Sequence, residues 1–110
     1  MRNMKEIIFK GTSLDDIRDF PFEAKREVGY QLDRIQNGLE PSDWKPMPSV
    51  GAGVREIRVR DQSGAFRVIY VAKFEEAIYV LTAFQKKQQK TPQREIDIAK
   101  KHLSEIQNDR

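Results

Sequence analysis

Three strand-like runs follow one another in the second half of the chain, and they constrain the fold most. Residues 54–60 alternate between apolar and charged side chains, which is typical of a strand with one buried face. Residues 65–74 are rich in β-branched and aromatic side chains, and residues 77–85 are almost entirely apolar, as in a central strand covered on both faces. Turn-like residues at 61–64 and 75–76 separate the runs, so the sequence predicts an antiparallel meander.

Helical patterns precede this meander. Residues 5–9 are short and β-prone and predict a first strand. Thr12 or Ser13 then offers an N-cap hydroxyl to a short helix, and a second helix is predicted over 22–37. That helix has one apolar stripe at helical spacing, formed by Val28, Leu32, Ile35 and Leu39. The two helices predict a hairpin that covers the sheet.

A loop and a last helix complete the pattern. Residues 40–53 contain three prolines and two glycines, and we expect Trp44 and Met47 to attach this loop to the core. Thr91 is predicted as the N-cap of the last helix and Pro92 as its first residue. The apolar stripe of this helix is Ile96, Ala99, Leu103 and Ile106. The order predicts an α+β fold, in which an N-terminal strand and a helical hairpin pack on an antiparallel sheet, followed by a C-terminal helix.

Length and composition exclude several classes of protein. The 110 residues are predicted to form one domain, 1–110. The chain has no cysteine and one histidine, which excludes a disulfide scaffold and nearly excludes a zinc site, so we expect neither metal nor cofactor. No apolar run approaches the roughly 20 residues of a membrane helix, and the N-terminus does not resemble a signal peptide. We therefore expect a cytoplasmic protein without membrane contact.

The positive charge is concentrated in the middle of the chain. Residues 53–90 carry eight basic and four acidic groups, a net charge of +4. Residues 1–52 have a net charge of −1, and residues 91–110 have none. A local surplus of Arg and Lys is the electrostatic pattern of a polyanion-binding protein. A net charge of +4 by itself is more simply explained by charged side chains on a solvent-exposed face. The decisive question is therefore which face of the sheet carries these charges.

The strand pattern places several of these charges together. Glu56, Arg58 and Arg60 share one face of the first strand of the meander. Arg67 lies in the middle of the neighbouring strand, within an otherwise apolar run. An arginine is costly to bury unpaired, so Arg67 either pairs with a carboxylate such as Glu56 or opens onto a cleft.

Two lysines extend this arrangement. Lys86 and Lys87 follow the last strand, and a meander can bring them to the arginines in a basic hollow near the aromatic residues Tyr70, Tyr79 and Phe84. Such a hollow suits single-stranded RNA, because arginines grip phosphate and aromatic rings stack on bases. It also has the groups for metal-free RNA cleavage, with Glu56 or a lysine of lowered pKa as base and the cations stabilising the transition state. From these residues alone, a solvated sheet is favoured over catalysis.

Three segments resemble a known toxin family. They are GAGVREIRV (51–59), FRVIY (66–70) and LTAFQKKQQKTPQREIDIA (81–99), and the KKQQKTP block followed by EIDIA is the most specific of them. They are similar to the HigB-type, phage-related branch of the RelE/ParE toxin superfamily. The resemblance implies a RelE-like fold and a toxin of a type II toxin–antitoxin system. Such a toxin enters the ribosomal A site and cleaves mRNA by 2′-OH attack without metal.

The resemblance also implies partners and site residues. A helix-turn-helix antitoxin neutralises the toxin, and the toxin reaches operator DNA only through that antitoxin. The matching catalytic residues are Arg58, Arg67, Lys86 and Lys87, with Glu56 as the strand carboxylate. We further predict RNA-binding roles for Arg55, Arg60, Lys90, Tyr70 and Phe84. Several family members place a histidine or tyrosine near the C-terminal end as acid or base, where this chain has Gln88, Gln89 and Thr91.

Two other functions are compatible with the same fold. A ParE-like toxin poisons gyrase by protein contact, and the concentration of Arg and Lys in one segment argues against it. A non-catalytic remnant would bind only RNA or its antitoxin. The lone histidine, His102, lies on the last helix and is predicted to be a boundary or surface residue rather than a catalytic one.

Overall fold

The computed structural model describes residues 4–109, and within them a five-stranded sheet lies between two helical layers. The predicted α+β fold is confirmed. The one-domain prediction also covers Met1–Asn3 and Arg110, which lie outside the described residues. In chain order the elements are β1 (Glu6–Phe9), α1 (Ser13–Arg18), α2 (Phe22–Gln36), β2 (Trp44–Pro46), β3 (Val54–Asp61), β4 (Gly64–Val71), β5 (Ala77–Lys86) and α3 (Gln93–Asn108).

The sheet has the strand order β1-β5-β4-β3-β2. Strands β3, β4 and β5 form the predicted antiparallel meander. The prediction of an all-antiparallel sheet is wrong at one edge, where β1 runs parallel to β5. Parallel neighbours need a long connection, and here it passes through both N-terminal helices and the meander. At the other edge, the predicted loop 40–53 contains the short strand β2, which pairs with β3.

Alternation along the strands divides the apolar side chains between two cores. One core lies under α1 and α2, and its strand residues are Ile57, Val59, Phe66, Val68, Tyr70, Ile78, Val80 and Ala83. The other lies under α3, and its strand residues are Val54, Ile69, Val71, Leu81 and Phe84. The helical hairpin and the C-terminal helix therefore cover opposite faces of the sheet.

Helix α3 leaves part of its face of the sheet uncovered. Its buried residues Ala99, Leu103 and Ile106 pack near the middle of the sheet. Towards the far ends of the strands on the same face, Arg58 and Arg60 are exposed and Lys86 is half-buried. This uncovered region carries the candidate site.

Three boundaries differ from the sequence prediction. Strand β4 ends at Val71 rather than at residue 74, although Phe74 still packs in the core under α3. Helix α2 ends at Gln36, and Leu39 lies beyond it with 53% of its surface exposed, so Leu39 does not extend the buried stripe. The predicted cap Thr91 is displaced, because Pro92 occupies the N-cap position of α3. Among residues 4–109, no helix is long and apolar enough to cross a membrane.

Candidate functional site

The strand register brings the basic residues onto one face of the sheet. Arg58 lies opposite Arg67 in the β3–β4 pair, and Arg60 lies opposite Ala65. Ala65 in turn pairs with Lys86 of β5. Directly paired residues of antiparallel strands point to the same face, so these side chains project together from the face that α3 leaves uncovered.

A cavity of about 630 Å³ opens between these strand ends and the loop that follows β5. We call it the basic cavity. It is lined by Arg60, Ala65, Arg67, Lys86, Lys87, Gln88 and Gln89. This lining combines four cationic side chains with two amides, which is a suitable environment for a phosphate group.

Arg67 meets both expectations drawn from its position in an apolar strand. Its residue is 7% exposed, its Nε lies 3.6 Å from Oε1 of Glu56, and it also lines the basic cavity. Its Nη1 donates a hydrogen bond of 3.0 Å to the carbonyl of Phe66. Burial lowers the pKa of Arg67 and the Glu56 carboxylate opposes that shift, so the guanidinium stays charged.

Glu56 lies at the inner end of the site and is completely buried. Its Oε1 lies 3.7 Å from the Nζ of Lys45, in addition to its contact with Arg67. Its Oε2 accepts a hydrogen bond of 2.9 Å from the Thr91 hydroxyl. The carboxylate is thus surrounded by groups from β2, β4 and the segment before α3.

Lys86 is the lysine of the basic cavity whose environment is most perturbed. Partial burial lowers its pKa, and the positive charge of Arg67 lowers it further. Glu56 acts in the opposite direction with a smaller effect. A lysine in this environment releases its proton more readily than one in water, so its amine is a candidate proton acceptor.

Comparison with known families tests the resemblance seen in the sequence. A family model described as phage-derived protein Gp49-like (DUF891) matches residues 15–104. The chain belongs to the Gp49-like family. A search of curated protein sequences gives no match.

The Gp49-like chain is also similar to a solved toxin structure. This is the free state of a double arginine-to-alanine mutant of the E. coli toxin RelE, with a TM-score of 0.67. The alignment covers 91% of this chain and 98% of the RelE chain at 12% identity, so it shows a shared fold. The predicted RelE-like fold is confirmed. Family and fold together support the predicted relation to the RelE superfamily and a toxin of the toxin–antitoxin type.

Two predicted catalytic or binding residues of the Gp49-like chain do not line the basic cavity. Arg58 shares its face of the sheet, but its Nη2 lies 2.8 Å from Oδ1 of Asp43 and its Nε donates to the same oxygen at 2.9 Å. Lys90 is exposed in the loop after β5. The lining residues Arg60, Arg67, Lys86 and Lys87 are therefore the ones that the fold gathers most closely.

Three other predicted RNA-binding residues are not brought into the site. Tyr70 belongs to the core under α1 and α2 and is 1% exposed. Arg55 is on that same opposite face, 3.9 Å above the ring of Trp44 and 3.6 Å from Glu40. Phe84 is on the correct face, but it is buried in the core under α3. Neither aromatic ring is placed to stack on an RNA base.

The structure adds three polar residues that the sequence did not assign to the site. Lys45 reaches Glu56 because β2 pairs Lys45 directly with Glu56. Asp43 precedes β2 and binds Arg58. Thr91 was predicted as a helix cap and instead binds Glu56. Recognition of β2 within the proline-rich loop would have revealed the first two. Within residues 4–109, no cluster of His, Cys, Asp or Glu is arranged to hold a metal ion.

Proposed function

We propose that this Gp49-like protein is an endoribonuclease toxin that cleaves mRNA on the ribosome. The observation that supports this most directly is the basic cavity, where cations from β3, β4 and β5 and from the loop after β5 converge on the open sheet face. One phosphodiester in this cavity would meet Arg67 together with Lys86 and Lys87. Preorganised cations of this kind stabilise the charge that develops on phosphorus oxygens in the transition state.

The proposed reaction is an internal transfer within the RNA. The ribose 2′ oxygen attacks the adjacent phosphorus, and the bond from phosphorus to the 5′ oxygen of the next nucleotide breaks. Lys86, in its neutral form, accepts the proton of the 2′-OH, while Arg67 binds the non-bridging oxygens. Lys87, the other lysine of the cavity, is in its ammonium form and protonates the departing 5′ oxygen. The products are a 2′,3′-cyclic phosphate and a free 5′-OH.

The proposed partners follow from the openness of this site. The basic cavity contacts RNA from one side, and the aromatic platforms expected in Tyr70 and Phe84 are buried. We infer that the ribosomal A site presents the mRNA in the required conformation, so free RNA is cleaved slowly. The proposed toxin works in the cytoplasm and is neutralised by a helix-turn-helix antitoxin, through which alone it reaches operator DNA.

Expression without antitoxin tests this proposal. Cellular RNA ends are mapped shortly after induction of the wild type, Arg67→Ala, Lys87→Ala and the control Lys101→Ala, an exposed lysine of α3. We expect new mRNA ends and growth arrest for the wild type and the control. The two cavity variants are expected to lose about 100-fold or more of the cleavage rate.

Other outcomes would identify other functions. Cleavage by both cavity variants at the wild-type rate would show that the site is assigned wrongly. Growth arrest with DNA-damage signalling and without new mRNA ends would indicate a gyrase-binding toxin. The absence of both effects would indicate a non-catalytic protein that binds RNA or an antitoxin.

A further inference from the structure

The Glu56 carboxylate contacts both Arg67, which lines the basic cavity, and Thr91, which follows the cavity lysines in the chain. Strand β3 supplies Glu56, β5 ends at Lys86, and the segment between β5 and α3 supplies Lys87 and Thr91. The hydrogen bond from Thr91 to Glu56 therefore joins residues 35 positions apart in the chain. It lies at the end of the segment that begins with Lys86 and Lys87.

The contacts of Glu56 differ in quality. The Thr91 hydroxyl lies 2.9 Å from Oε2, which is a normal hydrogen-bond distance. Arg67 Nε and Lys45 Nζ approach Oε1 only to 3.6 and 3.7 Å. Among the described residues, neither Oε1 nor Arg67 Nε has a hydrogen-bond partner. The two cations balance the buried charge, while Thr91 supplies the directed contact that fixes the carboxylate.

The position of Glu56 does not suit a general base. A base must come within hydrogen-bond distance of the proton that it accepts, and Glu56 has no exposed surface. Its Oε1 faces the side chains of Arg67 and Lys45 rather than the basic cavity. A carboxylate held in this way positions its neighbours.

The backbone before α3 explains why Thr91 is available. Pro92 takes the N-cap position, so Thr91 lies one residue before the cap with its hydroxyl directed to Glu56. At its other end the segment is fixed by the pairing of Lys86 with Ala65. Residues 87–90 are exposed between these two anchors.

We propose that Glu56 and Thr91 are positioning residues, whose hydrogen bond fixes the segment 86–91 so that Lys87 faces Arg67 across the basic cavity. The catalytic part of this inference rests on the proposed nuclease function. The structural part, a hydrogen bond that orders the segment, stands without it. Glu56 then acts through Arg67 and Thr91 and does not accept the proton of the 2′-OH.

Three substitutions in the full-length protein separate the two roles. Thr91→Val keeps the shape and removes the hydroxyl, Thr91→Ser keeps the hydroxyl, and Glu56→Gln keeps an acceptor for it while removing the charge. Each variant is compared with the wild type in single-turnover mRNA cleavage on ribosomes over a range of pH and mRNA concentration. Hydrogen–deuterium exchange of residues 87–92 is measured on the same samples.

We expect Thr91→Val to lower the cleavage rate at saturation by about 100-fold and to accelerate exchange in 87–92, because lysines that shift by an ångström lose their alignment. Thr91→Ser should restore both. Glu56→Gln should cleave within about 10-fold of the wild type and should keep the rise of the rate with pH, because the proton acceptor remains. That rise should move to lower pH, because the Glu56 charge raises the pKa of Lys86. The proposal would be overturned if Glu56→Gln lost both cleavage and the acidic limb of the pH–rate profile while its hydrogen–deuterium exchange stayed unchanged. That result would make Glu56 the base.

The exchange data remain decisive if the nuclease function fails. A wild-type protein that does not cleave mRNA on ribosomes would refute the proposed function only. Faster exchange of 87–92 in Thr91→Val, reversed in Thr91→Ser, would still establish the bracing role of the hydrogen bond. Equal exchange in the wild type and Thr91→Val would refute that role, whatever the cleavage assay shows.

Discussion

Arg58 and Arg67 lie directly opposite each other in the β3–β4 pair and point to the same face of the sheet. Like charges at such positions repel and destabilise the pairing. Each arginine has its own carboxylate, since Asp43 binds Arg58 at 2.8 Å and Glu56 lies 3.6 Å from Arg67. The fold thus holds two guanidinium groups side by side, and their repulsion lowers the stability of the fold. Such an arrangement is expected at a site that binds a polyanion, because the bound negative charge relieves the repulsion.

Asp43→Asn tests whether Arg58 is held away from RNA by its ion pair. Asp43 binds Arg58 through one oxygen, and both side chains are substantially exposed. Removing the negative charge frees Arg58 for phosphate, and an exposed ion pair is worth about 0.2–1 kcal/mol. We expect single-stranded RNA to bind roughly two- to fivefold more tightly by fluorescence anisotropy at low salt. Weaker binding would show that Asp43 organises Arg58 for RNA rather than competing with it.

Arg60→Ala and Arg55→Ala test which face of the sheet binds RNA. Arg60 lines the basic cavity, whereas Arg55 lies on the opposite face against Trp44. Each lost phosphate contact should reduce the slope of log K against log salt by about 0.7 for single-stranded RNA. We expect this change for Arg60→Ala and an unchanged slope for Arg55→Ala. Equal slopes for the two variants would mean that binding is not localised to the cavity face.

The alternation of residues along strands allowed much of the site to be predicted. It correctly placed Ile57 and Val59 on one face of β3 and the charged residues Glu56, Arg58 and Arg60 on the other. The same alternation places Tyr70 and Arg67 on opposite faces of the sheet, because they are three residues apart on β4. The expectation that Tyr70 joins the basic residues therefore ran against the pattern that predicted the strand.

Other features depend on tertiary contacts that local patterns do not encode. The parallel pairing of β1 with β5 joins residues 6–9 to residues 77–80, which are far apart in the chain. The pairing of Lys45 with Glu56 requires a strand that contains a proline. Thr91 has the local signature of a helix cap, but its hydroxyl binds a residue of β3. The burial of Phe84 depends on how far α3 extends over the sheet.

Two glycine substitutions are predicted to have opposite effects on stability. A Cβ on Gly29 of α2 would meet no atom within 4 Å, so Gly29→Ala should stabilise the protein by about 0.4–1 kcal/mol. A Cβ on Gly51 would lie 2.5 Å from Cδ2 of the buried Leu103, so Gly51→Ala should destabilise it by about 1–3 kcal/mol. Urea unfolding measures both. Similar stability of the two variants would contradict the packing of the 47–53 loop on α3.

His102→Ala is predicted to affect folding and not cleavage. His102 Nδ1 lies 2.7 Å from the carbonyl oxygen of Leu81, to which it donates a hydrogen bond, and its ring packs on Gly11. It lines a different cavity, of about 310 Å³, between α1, β5 and α3. Loss of the hydrogen bond should lower the free energy of unfolding by about 1–3 kcal/mol. The cleavage rate per folded molecule should equal that of the wild type. A large loss of this rate would show that His102 takes part in catalysis.

The pH dependence of cleavage is predicted to follow the protonation of Lys86. Partial burial and the charge of Arg67 lower the pKa of Lys86 below the 10.5 of an ordinary lysine. An amine accepts a proton only in its neutral form, which is present above its pKa, so the rate should rise with pH and level off above that pKa. Lys86→Arg keeps a positive charge at the position but stays protonated at all accessible pH values.

We therefore expect Lys86→Arg to retain RNA binding but to lose most of the cleavage rate. The remaining rate should no longer rise with pH in single-turnover assays over about pH 6–9. Lys101→Arg on the exposed surface of α3 is the matched control and should behave as the wild type. A rate that rises with pH as strongly in Lys86→Arg as in the wild type would assign proton acceptance to another group.

The variant Arg67→Met tests the same assignment, because the charge of Arg67 is a cause of the lowered pKa of Lys86. Its removal should move the rise of the rate to higher pH, and a base remote from the cavity would not show this shift.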